Sequence, residues 1–162
     1  MAVCPKNGCI LDLGSGPDTY AKLMANAGFH IDAIDASSEM IHHISSYPRI
    51  KAKEATFDEI CAKSLYDGVL AYFSLLHVSR LFLLRYHASI QQSLKPAGVF
   101  FAGMKHGRGH ERYTLGHYYD YKLDELESLL ISAGFSIGRN WSGNLIGLSG
   151  QTVEWIVVEA NA

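Results

Sequence analysis

Ile10-Leu11-Asp12-Leu13-Gly14-Ser15-Gly16-Pro17 is the stretch on which the reading of the whole chain turns. Its mainly apolar start reads as a short buried strand, and the Gly-x-Gly-Pro that follows forbids continuation of that strand. Gly14 and Gly16 let the backbone bend sharply and let a ligand come closer than any β-carbon would permit. Beyond the turn, Tyr20, Leu23, Met24 and Ala27 recur at helical spacing, and Gly28 stands where a left-handed helix terminator belongs. His30 to Asp35 is a second strand, with Asp35 at its end, 21 positions after Gly14. There a carboxylate can accept two hydrogen bonds from the vicinal hydroxyls of a ribose. A lone Gly-x-Gly is an ordinary tight turn; the turn and the strand-terminal acid together point to a bound adenosine.

The alternation continues downstream. Ser37 caps a helix through Met40, Ile41 and Ile44 that Pro48 closes. Ile50 to Lys53 and Asp67 to Tyr72 read as strands. A helix from Arg80 to Leu94 carries the buried stripe Leu83, His87, Ile90 and Leu94, and Pro96-Ala97-Gly98 stops it. Val99 to Met104 is a fifth strand, Leu123, Leu126, Leu130 and Ala133 mark a last helix, and two strands near 135–141 and 152–159 end the chain. No helix separates that final pair, so it can be antiparallel. Strands alternating with helices predict an α/β, doubly wound, mostly parallel sheet covered on both faces, with the ligand outside the carboxyl ends of the strands.

The chain has 162 residues, 48% hydrophobic and 19% charged, with no repeat or linker, and reads as one globular domain over 1–162. No apolar run approaches the roughly 20 residues that span a bilayer, and no secretory signal is visible, so a cytoplasmic location is expected. A net charge of -2 offers no general field for nucleic acid or anionic lipid. Cys4, Cys9 and Cys61 are an odd number with no CxxC pair, which argues against a disulfide framework or a zinc site and suggests reduced core thiols.

The kind of adenosine cofactor follows from the turn's charge. A dinucleotide pyrophosphate favours a third glycine or alanine where Thr19 stands, with Asp18 just before it, and a carboxylate would repel it. Asp12, ahead of the turn, suits a cofactor bearing a positive amine. A cationic, amino-acid-bearing adenosine is therefore favoured over a nicotinamide dinucleotide.

Ile10 to Pro17, followed by Asp35-Ala-Ser-Ser-Glu-Met40, resembles the cofactor signature of the class I S-adenosylmethionine-dependent methyltransferases. Further landmarks are Thr56-Phe57-Asp58-Glu59-Ile60, Tyr66-Asp67-Gly68-Val69, Ser74-Leu75-Leu76-His77-Val78, Leu94-Lys95-Pro96-Ala97-Gly98-Val99, Arg112-Tyr113-Thr114 and Glu154-Trp155. They resemble the small bacterial branch related to tellurite-resistance-type enzymes. The resemblance implies a Rossmann-like sheet of seven strands with the last antiparallel and inserted beside the fifth. It implies that Asp12, Gly14, Ser15 and Gly16 hold the methionine portion of S-adenosylmethionine, that Asp35 holds the ribose, and that Ala36 and Met40 pack near the adenine. Thr56 and Phe57 would meet the adenine edge, and Tyr72 and Ser74 would lie beside the sulfonium. This chain departs from the family at Asp18, commonly glycine, and in having only nine residues before Ile10 where relatives carry a helical segment; a more open pocket is the expectation.

Methyl transfer from a sulfonium is an in-line displacement that needs alignment and exclusion of water. An oxygen or nitrogen acceptor also needs a proton removed, and His77, after the fourth strand, is the candidate base, against the plainer role of capping its loop. The segment Lys105-His106-Gly107-Arg108-Gly109-His110-Glu111-Arg112-Tyr113 reads as a cationic loop, either solvated or a lid for an anionic small-molecule substrate. Tyr113 is a candidate wall of the acceptor pocket, beside Tyr118, Tyr119 and Tyr121, which more often simply pack. His42 and His43 lack partners at metal spacing, so no metal is proposed. The Trp141 to Gln151 segment reads as a flexible hairpin and Trp155 as core. Rival readings are a degenerate, non-catalytic binding or interaction domain, a nicotinamide-dependent oxidoreductase, and a nucleic-acid methyltransferase resting on the basic loop alone.

Overall fold

A computed structural model describes residues 4–17, 19–114, 116–147 and 150–162. The chain runs β1 (Cys9–Leu13), α1 (Thr19–Asn26), β2 (His30–Asp35), α2 (Ser38–Ile44), β3 (Ile50–Glu54), β4 (Tyr66–Tyr72), α3 (Arg80–Ser93) and β5 (Leu94–Lys105). It continues through β6 (Glu111–Thr114), β7 (Gly116–Tyr119), α4 (Leu123–Ser132), β8 (Ser136–Ile146) and β9 (Thr152–Asn161). Seven strands form one sheet in the order β3-β2-β1-β4-β5-β9-β8, and β6 and β7 form a separate hairpin. The first five strands are parallel, and β9 lies antiparallel between β5 and β8, as expected from the sequence. Because the order reverses at the β1–β4 pair, the connections leaving these two strands diverge and open a crevice at their carboxyl ends.

The layers follow from strand alternation. Ile10, Ile31, Ala33 and Leu70 face the cluster that contains Ala21, Met24 and Ala25 of α1 and Ile44 of α2. Leu11, Leu13, Val69, Ala71 and Phe100 face the cluster with Leu83 and Ile90 of α3 and Leu126 and Leu130 of α4. The α1 stripe is rotated from the one expected: Ala21, Met24 and Ala25 are buried, while Tyr20 and Leu23 are exposed. Two alanines allow the helix to lie close to β2 and β3, and this closeness decides which side faces inward. No helix of the described residues is long and apolar enough to cross a membrane.

Five local expectations are corrected. The fifth strand starts earlier than Val99: β5 begins at Leu94, directly after α3, and its register against β4 shifts between Tyr66 and Gly68, which accommodates the extra residues. The basic segment is not wholly loop, since 111–119 contains the β6–β7 ladder. Most of Trp141 to Gln151 is paired strand, with β8 and β9 in register out to Ile146 and Thr152. The thiols are not core: Cys61 is exposed and Cys4 and Cys9 are half-buried. Trp155 is also only half-buried, at the edge ladder where it packs on Gly143.

His87 lies fully buried in the α3 stripe with its ring 5.9 Å from that of Phe100, and neither ring nitrogen has a hydrogen-bond partner among the described residues. Burial pushes its imidazole down from the ordinary 6.5 to about 4. The folded protein thus keeps His87 neutral while the unfolded chain binds a proton, so stability falls as pH drops from 6.5 to about 4. The loss is on the order of 3 kcal/mol once the unfolded chain is fully protonated. His87→Leu is expected to raise the urea midpoint at pH 5 and to flatten this limb of the stability profile; an unchanged slope would remove His87 as its cause.

Candidate functional site

The turn after β1 is built onto β2. The amides of Gly14 and Ser15 both donate to the carbonyl oxygen of Ile34, at 2.8 and 3.1 Å. One residue further on, Asp35 Oδ2 accepts from the Gly16 amide and Oδ1 from the Ser37 amide, each at 2.9 Å. Asp35 therefore ties the glycine turn to the start of α2 and keeps lone pairs on both oxygens for hydroxyl donors. Gly14 has φ +68°, and a β-carbon there would stand 2.4 Å from Ser74 Cβ. Gly16 has φ +58° with nothing within 4 Å of such a carbon, so its backbone borders open space.

Two polar atoms at the turn lack partners among the described residues: Asp12 Oδ2 and Ser15 Oγ, both buried. Burial first, and the charge of Asp35 second, push the Asp12 carboxyl up to about 7. A cation placed beside it would reverse that shift. An unsatisfied acid in the core is costly, and a cation reaching it would offset that cost.

The crevice at the switch point has a volume of about 450 Å³. Of the residues picked out from the sequence, Gly14, Asp35, Ala36, Thr56, Phe57, Ser74 and His77 line it together. Ser74 is buried, and its hydroxyl donates to the Leu13 carbonyl oxygen at 2.5 Å, joining the ends of β4 and β1. Phe57 sits on the single-turn 3-10 helix Phe57–Glu59, edge-on to Tyr86 at 5.8 Å. Asp58 next to it accepts from Tyr86 Oη at 2.9 Å and pairs with Arg85, so α3 fixes that wall.

Met40 and Tyr72 are not among the lining residues. Met40 is half-buried, and its amide meets the Ser37 hydroxyl at 3.5 Å. The Tyr72 ring packs against those of Tyr20 and Phe73, at 4.7 and 4.4 Å. Asp12, Ser15 and Gly16 belong to the turn without lining the crevice. The Tyr113 backbone lies in β6, but its side chain falls outside the described residues, as does Asp18 entirely. Ala55, Phe73 and Val78 line the crevice and were not foreseen. Phe73 has φ +60°, a conformation that a bulky side chain rarely adopts and that no spacing in the sequence announces.

The cations of the basic segment are largely engaged within the protein. Arg112 Nε donates to the buried Asp120 carboxylate at 3.0 Å, His106 meets Glu154 at 3.0 Å, and Lys105 lies 3.5 Å over the Tyr118 ring. His77 lies at the end of the 3-10 turn Leu75–His77 with Nδ1 2.7 Å from the His117 carbonyl oxygen.

The two glycines separate conformational from steric demand. Gly14→Ala is expected to cost about 3 kcal/mol, from a left-handed φ together with the clash at Ser74. Gly16→Ala, strained in φ alone, should cost about 1 kcal/mol. Equal losses in denaturant unfolding would refute the close approach of Gly14 and Ser74.

A family model described as a methyltransferase domain matches residues 1–138. A curated relative, the ubiquinone biosynthesis O-methyltransferase of Rickettsia canadensis, is 30% identical over 95 residues, covering 56% of this chain and 39% of that protein's length. This chain thus spans about two fifths of that relative. Its fold is that of an S-adenosylmethionine-dependent methyltransferase from Methanosarcina mazei, with TM-score 0.87, 16% identity, and coverage of 99% of this chain and 94% of that one. It is likewise that of the 1,6-didemethyltoxoflavin-N1-methyltransferase of Burkholderia thailandensis, solved with 1,6-didemethyltoxoflavin and S-adenosylhomocysteine. That match has TM-score 0.81 and 21% identity, over 96% of this chain and 71% of the other. With its turn, strand-end acid and sheet order in place and the family model covering residues 1–138, the chain belongs to the methyltransferase-domain family.

Proposed function

We propose that this chain transfers a methyl group from S-adenosylmethionine to a small-molecule acceptor whose reacting oxygen or nitrogen gives up a proton to His77. The observation that carries the reading is the buried Asp12 carboxylate, with Oδ2 unpartnered, behind a glycine turn held to Asp35. That set suits a ligand with a cationic amino-acid end and a ribose. The curated relative is an O-methyltransferase and one structural neighbour an N-methyltransferase with a small heterocycle bound, which supports a small acceptor with either atom type.

The cofactor, when bound, supplies an electrophilic methyl group on a sulfonium. Asp35 would hold the ribose hydroxyls with lone pairs left over from the Gly16 and Ser37 amides. Asp12, Ser15 and the bare backbone of Gly14 and Gly16 would receive the methionine end. Ala36, Thr56, Phe57 and, from behind, Met40 would surround the base. Ser74 keeps β1 and β4 at fixed separation beside the reacting centre, and Tyr72 supports Phe73 there. His77, on the lining of the same crevice, would hold the acceptor's proton. Tyr113, whose backbone is in β6, is the proposed wall of the acceptor pocket. Arg108, exposed in the basic segment, would be the cation open to an anionic acceptor among the described residues, Arg112 and His106 being paired.

Titration calorimetry with S-adenosylhomocysteine tests the site without an acceptor. Asp35→Ala should weaken binding by about 1–3 kcal/mol, and unchanged affinity would remove its ribose role. Because Asp12 is half-protonated near pH 7 in the empty protein and a cation favours its charged form, affinity should rise with pH below 7 and level off above it. Asp12→Asn should abolish that rise; a pH-independent affinity in the unsubstituted protein would contradict contact between Asp12 and the ammonium group.

A further inference from the structure

We infer that the sheet face behind the 3-10 turn Phe57–Glu59 holds a second ligand site, outside the crevice, that takes a free α-amino acid with an apolar side chain. The site exists because of how β3 is joined to β4. Parallel strands of such a sheet are usually linked by a helix that covers the face it crosses. Here the link, residues 55–65, contains only that single 3-10 turn, although it must pass β2 and β1. The burial of β2 records the gap. Ile31 and Ala33, which face α1 and α2, are buried, whereas Asp32 and Ile34, which face the other way, are only half-buried. Beneath the link lies a cavity of about 320 Å³, lined by Leu11 and Ile34 from the sheet and by Ile60 and Ala62 from the link. It backs onto the crevice through Ala55, which lines both, and includes none of the glycine turn.

The lining fixes the chemistry of the occupant. The four apolar side chains offer a recess for an apolar body. Beside it stand two opposite charges. Asp32 of β2 and Lys51 of β3 are register partners in the parallel ladder, so their side chains leave the same face as neighbours. Tyr66 Oη donates to Asp32 Oδ2 at 3.0 Å, and burial together with that carboxylate pushes the phenol up, so the donor stays protonated and holds the acid in place. Asp32 Oδ1 accepts no hydrogen bond and Lys51 makes no ion pair among the described residues. Lys53 and Glu59, also on the lining, already pair with each other at 2.7 Å. What remains is an acceptor for an ammonium and a donor for a carboxylate next to an apolar recess. An α-amino acid carries that set on one carbon. A plain amine would be repelled by Lys51, and a plain carboxylate by Asp32. Size favours a small molecule over a chain segment, since one helical turn, about 10 Å across and about 5.4 Å long, fills roughly 400 Å³.

Cys61 reports occupancy, because it is exposed and lines this cavity, whereas Cys4 and Cys9 do not. Its alkylation by iodoacetamide is followed by peptide mass spectrometry on the full chain. L-leucine, titrated to about 10 mM, should slow Cys61 alkylation about tenfold, as for a Kd of about 1 mM, and leave Cys4 and Cys9 unaffected. An unchanged Cys61 rate overturns the proposal. Glycine, isopentylamine and 4-methylpentanoate each lack one part of leucine and should protect less; equal protection by any of them overturns the amino-acid assignment. Asp32→Asn should remove the preference for leucine over 4-methylpentanoate. Lys51→Gln, a change at an exposed position that leaves folding intact, should remove the preference for leucine over isopentylamine. If either preference survives its substitution, the charge pair is not what recognises the ligand. Protection that grows with protein concentration, and not with leucine, would assign the cavity to a second copy of this chain and equally overturn the proposal.

Discussion

Everything at the carboxyl edge of the sheet depends on one carboxylate taking hydrogen bonds from two chain segments. Asp35 receives the amide of Gly16 from the first turn and that of Ser37 from the start of α2. Without it, two amides would be left to water, and among the described residues the turn would hang from the Ile34 carbonyl. A glycine turn is flexible by composition, and here it is rigid by connection. That rigidity places the Gly16 backbone against open space and keeps Asp12 and Asp35 near enough for one charge to raise the other's pKa.

The cost of this arrangement is electrostatic. Two acids close together, one of them buried, disfavour ionisation, and the empty site meets this by keeping Asp12 largely protonated up to about pH 7. On the reading proposed above, a cationic ligand would replace that proton with a charge partner. Perturbations of this kind cluster at functional sites.

The parts of the fold that alternate cleanly were legible in the sequence. Leu83, His87 and Ile90 repeat at helical spacing and are fully buried, and Ile10 to Leu13 is a buried strand ended by glycine. What escaped notice was set by tertiary contact. Tyr20 and Leu23 share the helical period with Met24, yet alanines face the sheet because only they allow the close approach of α1. The β6–β7 ladder lies among glycines and charges that read as loop, and is held by Asp120, whose role depends on residues up to 40 positions away. The same limit applies to the site. Gly14, Asp35 and Ser74 could be found by position at strand ends, whereas Phe73 enters the crevice through a backbone conformation that no residue pattern signals, and Tyr72, its neighbour, turns instead onto Tyr20.

The short hydrogen bond from Ser74 to Leu13, and the absence of room for a β-carbon at Gly14, clamp the ends of β1 and β4 against each other. The two strands that bound the crevice therefore cannot splay to admit a bulkier molecule. Adaptation to a new acceptor would then fall to a piece hung outside that clamp, the β6–β7 hairpin, whose length and side chains can change without moving the strand ends. In such a scaffold, chemical diversification is modular by mechanical necessity: the hinge of variation sits where the sheet has already stopped.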